Sequence, residues 1–257
     1  TFAMEAYGDD PCALFMPKTK FADNAMDEKT TRLIAQMHKA ITIIQFKLEG
    51  EIIRRRPEFE MDDRMLLHHI DLKRGVVHID GKDYTLKDTN WPTLDPKDPY
   101  RLSIEEEDLI RKILHSFESS EKMKKHMRCF FRHGGMYQVC NSNLLFHASI
   151  PMNPDGTFKS VRILGQDYKG RALLDRVDQL IRTAYFKTGE QEEVEYAHDY
   201  IWYLWAARTL RYSIKARWLL SSVPLSKRPR LIRRKKALII RYESKRKFVI
   251  GYWMSLG

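Results

Sequence analysis

The sequence predicts an α/β protein. Apolar residues recur at helical spacing in several long segments, and short β-like runs closed by turn residues lie between them. The most informative run is Leu144–Phe146, which delivers His147 to a Ser149-Ile150-Pro151 turn and a polar Asn153-Pro154-Asp155-Gly156 loop. Apolar residues ending in a turn read as a buried strand. Ligands of open α/β sheets gather at such strand ends, which makes His147 the first candidate for a site.

Each element has its own signal. Residues 1–26 read as irregular, broken by Gly8-Asp9-Asp10-Pro11 and Pro17. From Asp27, Leu33, Met37, Ala40, Ile41, Ile44 and Leu48 mark a helix to about residue 48, weakened by Gly50 and ended before Pro57. Val76–Ile79 and Tyr84–Leu86 flank Asp80-Gly81, a hairpin signal. Ser103 and Glu106 form a capping box ahead of a helix whose apolar face runs to Phe117. A second helix, Ser120–Arg132, stops at Gly134-Gly135. Strands are expected at Met136–Val139 and Leu144–His147, then helices at Gly170–Phe186 and Val194–Trp205.

Composition narrows the class. No apolar run approaches the ~18 residues of a membrane span, and no signal peptide is recognisable at the start of the sequence. Cys12, Cys129 and Cys140 have no zinc or redox spacing, so reduced thiols in the cytoplasm are expected. The net charge of +11 is unevenly placed. Residues 206–257 hold 15 Lys and Arg against one acid, Glu243, while the first 205 residues hold 30 basic and 33 acidic side chains. Such a step marks a boundary.

The segment Asn143–Pro151 resembles the class III fructose-1,6-bisphosphatases of the calcineurin-like metallophosphoesterase superfamily, whose counterpart reads Asn-Leu-Leu-(aliphatic or Phe)-His-Gly-Cys-Ile-Pro. Met37–Ile41, Ile44–Glu49, Ile52–Phe59 and Trp202–Trp205 resemble the same family, in family order. The resemblance spans about Tyr7 to Trp205. It implies a fragment of a metallophosphoesterase sandwich, two β-sheets flanked by helices, with large helical insertions. It also implies hydrolysis of fructose 1,6-bisphosphate to fructose 6-phosphate in gluconeogenesis, at a dinuclear metal centre, with Mn²⁺ as the metal and His147 as a ligand. Ala148 stands where the family usually has glycine. The superfamily's Asp-x-His, Gly-Asp-x-x-Asp-Arg-Gly and Gly-Asn-His-Asp/Glu motifs do not occur. One histidine cannot hold two metals, so the chain resembles the middle of such an enzyme, with its catalytic residues outside it. The isolated chain is expected to be inactive and poorly stable.

Other candidates have plain structural readings. His68-His69 is a weak metal pair, because neighbours on a helix diverge. Asp62-Asp63 fits a solvated helix start. Arg54-Arg55-Arg56 could grip phosphate through its guanidinium forks, though a structural role fits better. His133-Gly134-Gly135 reads as helix punctuation, and Tyr200, Trp202, Tyr203 and Trp205 as core or interface aromatics.

The resemblance ceases after Trp205. Combining the third base of each codon with the first two bases of the next permits Phe-Asp-Lys-Ser-Lys-Met-Ala-Thr-Phe-Glu-Arg within residues 206–223, which resembles the family continuing. Residues 206–257 are therefore expected to be an out-of-frame translation. The alternatives are a natural basic extension, or a tail for nucleic acid or an anionic membrane surface. A nonenzymatic remnant or regulatory fragment is the other reading of the whole.

Overall fold

The computed structural model describes residues 2–17, 27–79, 81–146 and 150–206. In chain order its elements are α1 (Phe2–Tyr7), α2 (Glu28–Arg55), β1 (Ile70–Asp71), β2 (Val76–Ile79), β3 (Lys82–Thr85), α3 (Ile104–Ser119) and α4 (Glu121–His133). There follow β4 (Tyr137–Cys140), β5 (Asn143–Phe146), β6 (Val161–Ile163), β7 (Gln166–Tyr168), α5 (Gly170–Phe186) and α6 (Gln191–Ala206). The class is mixed helix and strand. Among the described residues the strands form three small antiparallel sheets, β1-β2-β3, β4-β5 and β6-β7.

The long helix α2 is the spine. Asp27 caps it by accepting from the Thr30 amide. Gly50 does not weaken its end, as the sequence suggested. A Cβ there would lie 1.9 Å from the Tyr100 ring, so the glycine is a socket for that ring and the helix continues to Arg55. Two cores flank the spine. Ala35, Ala40 and Ile43 pack with Ala3, Tyr7 and Trp91, which is why Phe2–Tyr7 is helical rather than irregular. Ile53 packs with Phe59, Leu173, Val177, Leu180 and Tyr200 at the other end.

Charged side chains bind the spine to its neighbours. Lys39 is fully buried and meets Asp10 and, at 2.7 Å, Asp88. Lys47 is fully buried with Glu106, at 2.6 Å. Glu106 also accepts from the Ser103 amide, so the capping box of α3 and the anchor to α2 share one carboxylate oxygen. Arg55 grips both oxygens of Asp199 in α6, at 3.0 and 2.7 Å, and Arg56 adds a third bond.

The hairpin forms, with Gly81 at φ 75°, and its second strand runs Lys82–Thr85 rather than Tyr84–Leu86. The cap of α4 falls at Gly134, but for a different reason than a left-handed φ. Its φ is −97°, and a Cβ would sit 2.7 Å from the Phe130 carbonyl oxygen that its own amide bonds. The β6-β7 hairpin turns on Leu164 and Gly165, both at positive φ, and carries no alternating apolar signal strong enough to be expected from sequence.

Lys47→Ala strands the Glu106 carboxylate and should cost about 3–5 kcal/mol in urea unfolding, whereas Lys47→Met with Glu106→Leu should cost much less. Burial pushes the Asp10 carboxyl up, but the bonds from Lys39 and the Cys12 amide outweigh it and leave the group below its ordinary 3.8. A lowered carboxylate pKa adds stability that is present above 3.8 and is lost as pH falls through the folded-state value. Urea midpoints between about pH 5 and pH 2.5 should therefore fall less steeply in Asp10→Asn than in the parent chain.

Candidate functional site

The site segment is an antiparallel ribbon. Tyr137, Gln138, Val139 and Cys140 of β4 face Phe146, Leu145, Leu144 and Asn143 of β5. The two-residue turn places Asn141 and Ser142 at φ 50° and 61°, the double positive φ of the tight hairpin turn that suits strand twist. β5 ends at Phe146, one residue before His147. His147 itself, with Ala148 and Ser149, lies outside the described residues.

Both flanks of His147 are held at the first turns of α5. Upstream, Tyr137 Oη donates to Asp175 at 3.0 Å and accepts from Arg171 Nε at 2.9 Å. Burial first, and the Asp175 carboxylate second, raise the Tyr137 phenol pKa. Downstream, Met152 pairs with Phe158 around the Asn153–Gly156 turn, where Asp155 accepts from the Thr157 amide at 2.9 Å. The Phe158 ring then lies over Gly170, the first residue of α5, at φ 55° and with 3.0 Å to an added Cβ.

The ribbon differs from the buried strand expected from its apolar run. Val139 is 60% exposed, Leu145 53% and Phe146 40%. A two-stranded ribbon covers neither of its own faces, so an apolar strand stays open unless another layer packs on it.

The remaining candidates resolve into structure. The arginine triplet is occupied within the fold. Arg54 bonds Asp98 at 2.9 Å and lies 4.6 Å from the Tyr100 ring centre, while Arg55 and Arg56 hold Asp199. His68 and His69 do not diverge as helical neighbours would. They sit in a 3₁₀ turn, Leu67–His69, that runs into β1, and their ring centres are 3.9 Å apart. His68 Nδ1 is 3.1 Å from Tyr100 Oη. Burial, then His69, then Arg54 lower the His68 pKa. Asp62 and Asp63 open a 3₁₀ turn at the surface. Tyr200 is buried and Tyr203 stacks on Phe59 at 4.5 Å, but Trp205 is 59% exposed. Among the described residues no three His, Cys, Asp or Glu side chains gather to hold a metal, and no helix is long and apolar enough to cross a membrane. All three cysteines are free.

Sequence reasoning missed one feature. A cleft of about 560 Å³ lies between α4 and α5, with Lys125, Arg128, Arg132 and Arg182 around Phe131 and Phe186. Basic character is therefore not confined to the tail. The signal was readable, since residues 125, 128 and 132 share one helical face. Arg182 is committed, donating to the Phe131 and Gly134 carbonyls at the end of α4 and to Asp178.

A family profile described as Firmicute fructose-1,6-bisphosphatase matches residues 1–217. The chain belongs to this family. Among its relatives, the class 3 fructose-1,6-bisphosphatase of Parabacteroides distasonis is 99% identical over 208 residues, covering 81% of this chain and 31% of that protein. The Bacteroides fragilis class 3 fructose-1,6-bisphosphatase is 65% identical over 205 residues, and that of Clostridioides difficile 50% identical over 208. The chain thus spans under a third of the length of these relatives. No solved structure matches it significantly.

If the Tyr137 hydroxyl is what ties the ribbon to α5, Tyr137→Phe should leave urea stability within about 0.5–1.5 kcal/mol of the parent. It should nevertheless speed amide exchange in residues 137–146 relative to α5. Unchanged exchange there would place the tether elsewhere.

Proposed function

We propose that this chain is a portion of a class III fructose-1,6-bisphosphatase that contributes the His147 ligand and the helical scaffold behind it. The whole enzyme would hydrolyse fructose 1,6-bisphosphate to fructose 6-phosphate at a dinuclear Mn²⁺ centre, in the cytoplasm. The observation that carries the reading is the family match over residues 1–217, with 99% identity to a class 3 enzyme over most of that span. Three free cysteines, two of them exposed, agree with a reducing compartment.

Neutral imidazole is a strong ligand for a divalent transition metal, and paired metals would activate water and stabilise charge on the transferred phosphoryl group. Among the described residues no ligand cluster forms, and His147 lies outside them. No catalytic step is therefore assigned to this chain's residues. Its part would be to carry His147 at the end of β5, with the segments on both sides fastened to α5. The finer expectation of a two-sheet sandwich belongs to the whole enzyme, in which the ribbon would be part of a larger sheet.

The reading extends to the last residues. Residues 206–257 would be an out-of-frame translation rather than a functional tail. Support comes from the charge step at residue 206; the relatives match about four-fifths of the chain, and the family profile runs on to residue 217. DNA sequence through codon 206 whose alternative frame fails to continue the family would defeat this part.

The test of function uses phosphate release from fructose 1,6-bisphosphate with Mn²⁺. The 257-residue chain should release none. The full-length P. distasonis relative should be active, and His147→Ala placed in it should cost more than the roughly 10–100-fold typical of losing a group that merely supports a ligand. Activity of the short chain, or full activity of the substituted enzyme, would contradict the proposal.

A further inference from the structure

The cleft between α4 and α5 gathers more positive charge than its place in the fold explains. Lys125, Arg128, Arg132 and Arg182 line it beside Phe131 and Phe186, and among the described residues its lining includes no carboxylate. Arg182 already has a task. Its bonds to the Phe131 and Gly134 carbonyls and to Asp178 fix the guanidinium 5.5 Å from the Phe131 ring centre. The other three cations are exposed, and among the described residues none of them forms an ion pair. Carboxylates of the adjoining turns are engaged elsewhere: Glu121 with Lys124 at 2.8 Å, Asp178 with Arg182 at 2.7 Å and Glu118 with Lys187 at 3.5 Å. Arg128 acts on Glu121 only through space, behind the bond from Lys124.

Helix geometry leaves this charge unexplained. Cations in a last turn complement the helix dipole, which covers Arg132 and His133. That benefit fades beyond the last turn, whereas Arg128 and Lys125 lie about one and two turns earlier. There, like charges at i, i+3 and i, i+4 repel. A solvated face would also need no hollow. These cations stand around a concavity of about 560 Å³, within the range of clefts that hold small ligands. Its apolar lining is aromatic. Phe131 is buried, and Phe186, with ring centres 5.2 Å apart, is 50% exposed.

We propose that this cleft binds a small aromatic phosphomonoester, with Lys125, Arg128 and Arg132 on the phosphate and Phe186 against the ring. Charge complementarity selects an anion, and guanidinium forks match phosphate oxygens. The half-exposed Phe186 ring gives a flat remainder its stacking partner. Concavity favours a small molecule over a nucleic-acid strand, which tracks an open groove. Neither His147 nor any catalytic step is involved, so failure of the functional reading would leave the site intact.

Phenyl phosphate and inorganic phosphate are titrated calorimetrically into the full 257-residue chain at fixed ionic strength. Iodoacetamide labelling of Cys129 and Cys140 is mapped by mass with and without each. Both thiols are exposed, but only Cys129 lines the cleft. Phenyl phosphate should bind saturably, about tenfold tighter than inorganic phosphate, and slow labelling at Cys129 but not at Cys140. Arg128→Gln and Arg132→Gln should each weaken it about tenfold with circular dichroism unchanged. Phe186→Leu should bring phenyl phosphate down to the affinity of inorganic phosphate, and Phe186→Tyr should retain the preference. Arg162→Gln, which removes the same charge from exposed β6, should change nothing. The basic residues 206–257 are common to every variant and cancel in these comparisons. Any of four results would overturn the site: no saturable binding, equal affinity for the two anions, equal weakening by Arg162→Gln, or equal shielding of both cysteines. Shielding of Cys129 by a single-stranded oligonucleotide but not by phenyl phosphate would also overturn it, in favour of nucleic acid.

Discussion

The fold is organised by ion pairs along one helix, two made by buried lysines and the third by a half-exposed arginine on a buried aspartate. Lys39, Lys47 and Arg55 lie eight residues apart along α2, so each successive anchor is about 12 Å farther along the axis and rotated by roughly 80°. The first holds the Asp10 and Asp88 segments, the second α3 through Glu106, and the third α6 through Asp199. Apolar packing against α2 could slide or rotate by a turn at modest cost. A carboxylate that must meet one ammonium or guanidinium cannot, because a buried charge without its partner is heavily penalised. The ion pairs fix where the elements sit, and the two apolar cores supply most of the driving force.

This arrangement reaches the candidate site indirectly. Arg55 and Arg56 position α6, which packs on α5 through Val177, Leu180, Ala197 and Tyr200. The first turns of α5 in turn hold Tyr137 on one side of His147 and Phe158 on the other. The arginine triplet thus has a structural part to play, since it fixes the helices that hold the segments on either side of residue 147. The ion pairs of α2 close on partners within the scaffold, while the ribbon that leads to residue 147 leaves apolar side chains open, as α3 and α4 do at Ile104, Phe117 and Phe130.

Much of this was legible in the sequence. The Ser103–Glu106 box, the Asp80-Gly81 hairpin and the periodic faces of α2, α5 and α6 each rest on local rules, and local rules can be read without a fold. The strand before His147 was legible as a strand, from Leu144–Phe146, but its exposure was not, because alternation and hydrophobicity do not reveal whether a covering layer is present. Lys39 and Lys47 were opaque for a related reason. A lysine on a helix ordinarily snorkels into solvent, and only tertiary structure shows Asp10 and Glu106 arriving to meet them. Gly50 looked like a weak point of the helix because its reason for being glycine, the Tyr100 ring, lies fifty residues away. His68-His69 was misjudged as helical because the 3₁₀ turn that brings the rings together is too short to leave a pattern. Family resemblance supplied what local rules could not, the family itself.

Native-state amide exchange on the 257-residue chain tests the central claim most directly, that a self-consistent helical scaffold presents an unfinished site ribbon. Amides of α2, α5 and α6 should open together, as one cooperative unit, and exchange on the order of 100-fold more slowly than those of residues 137–146. Equal protection of ribbon and helices would contradict it, as would helices that exchange independently of one another, because buried charges could not then be what joins them.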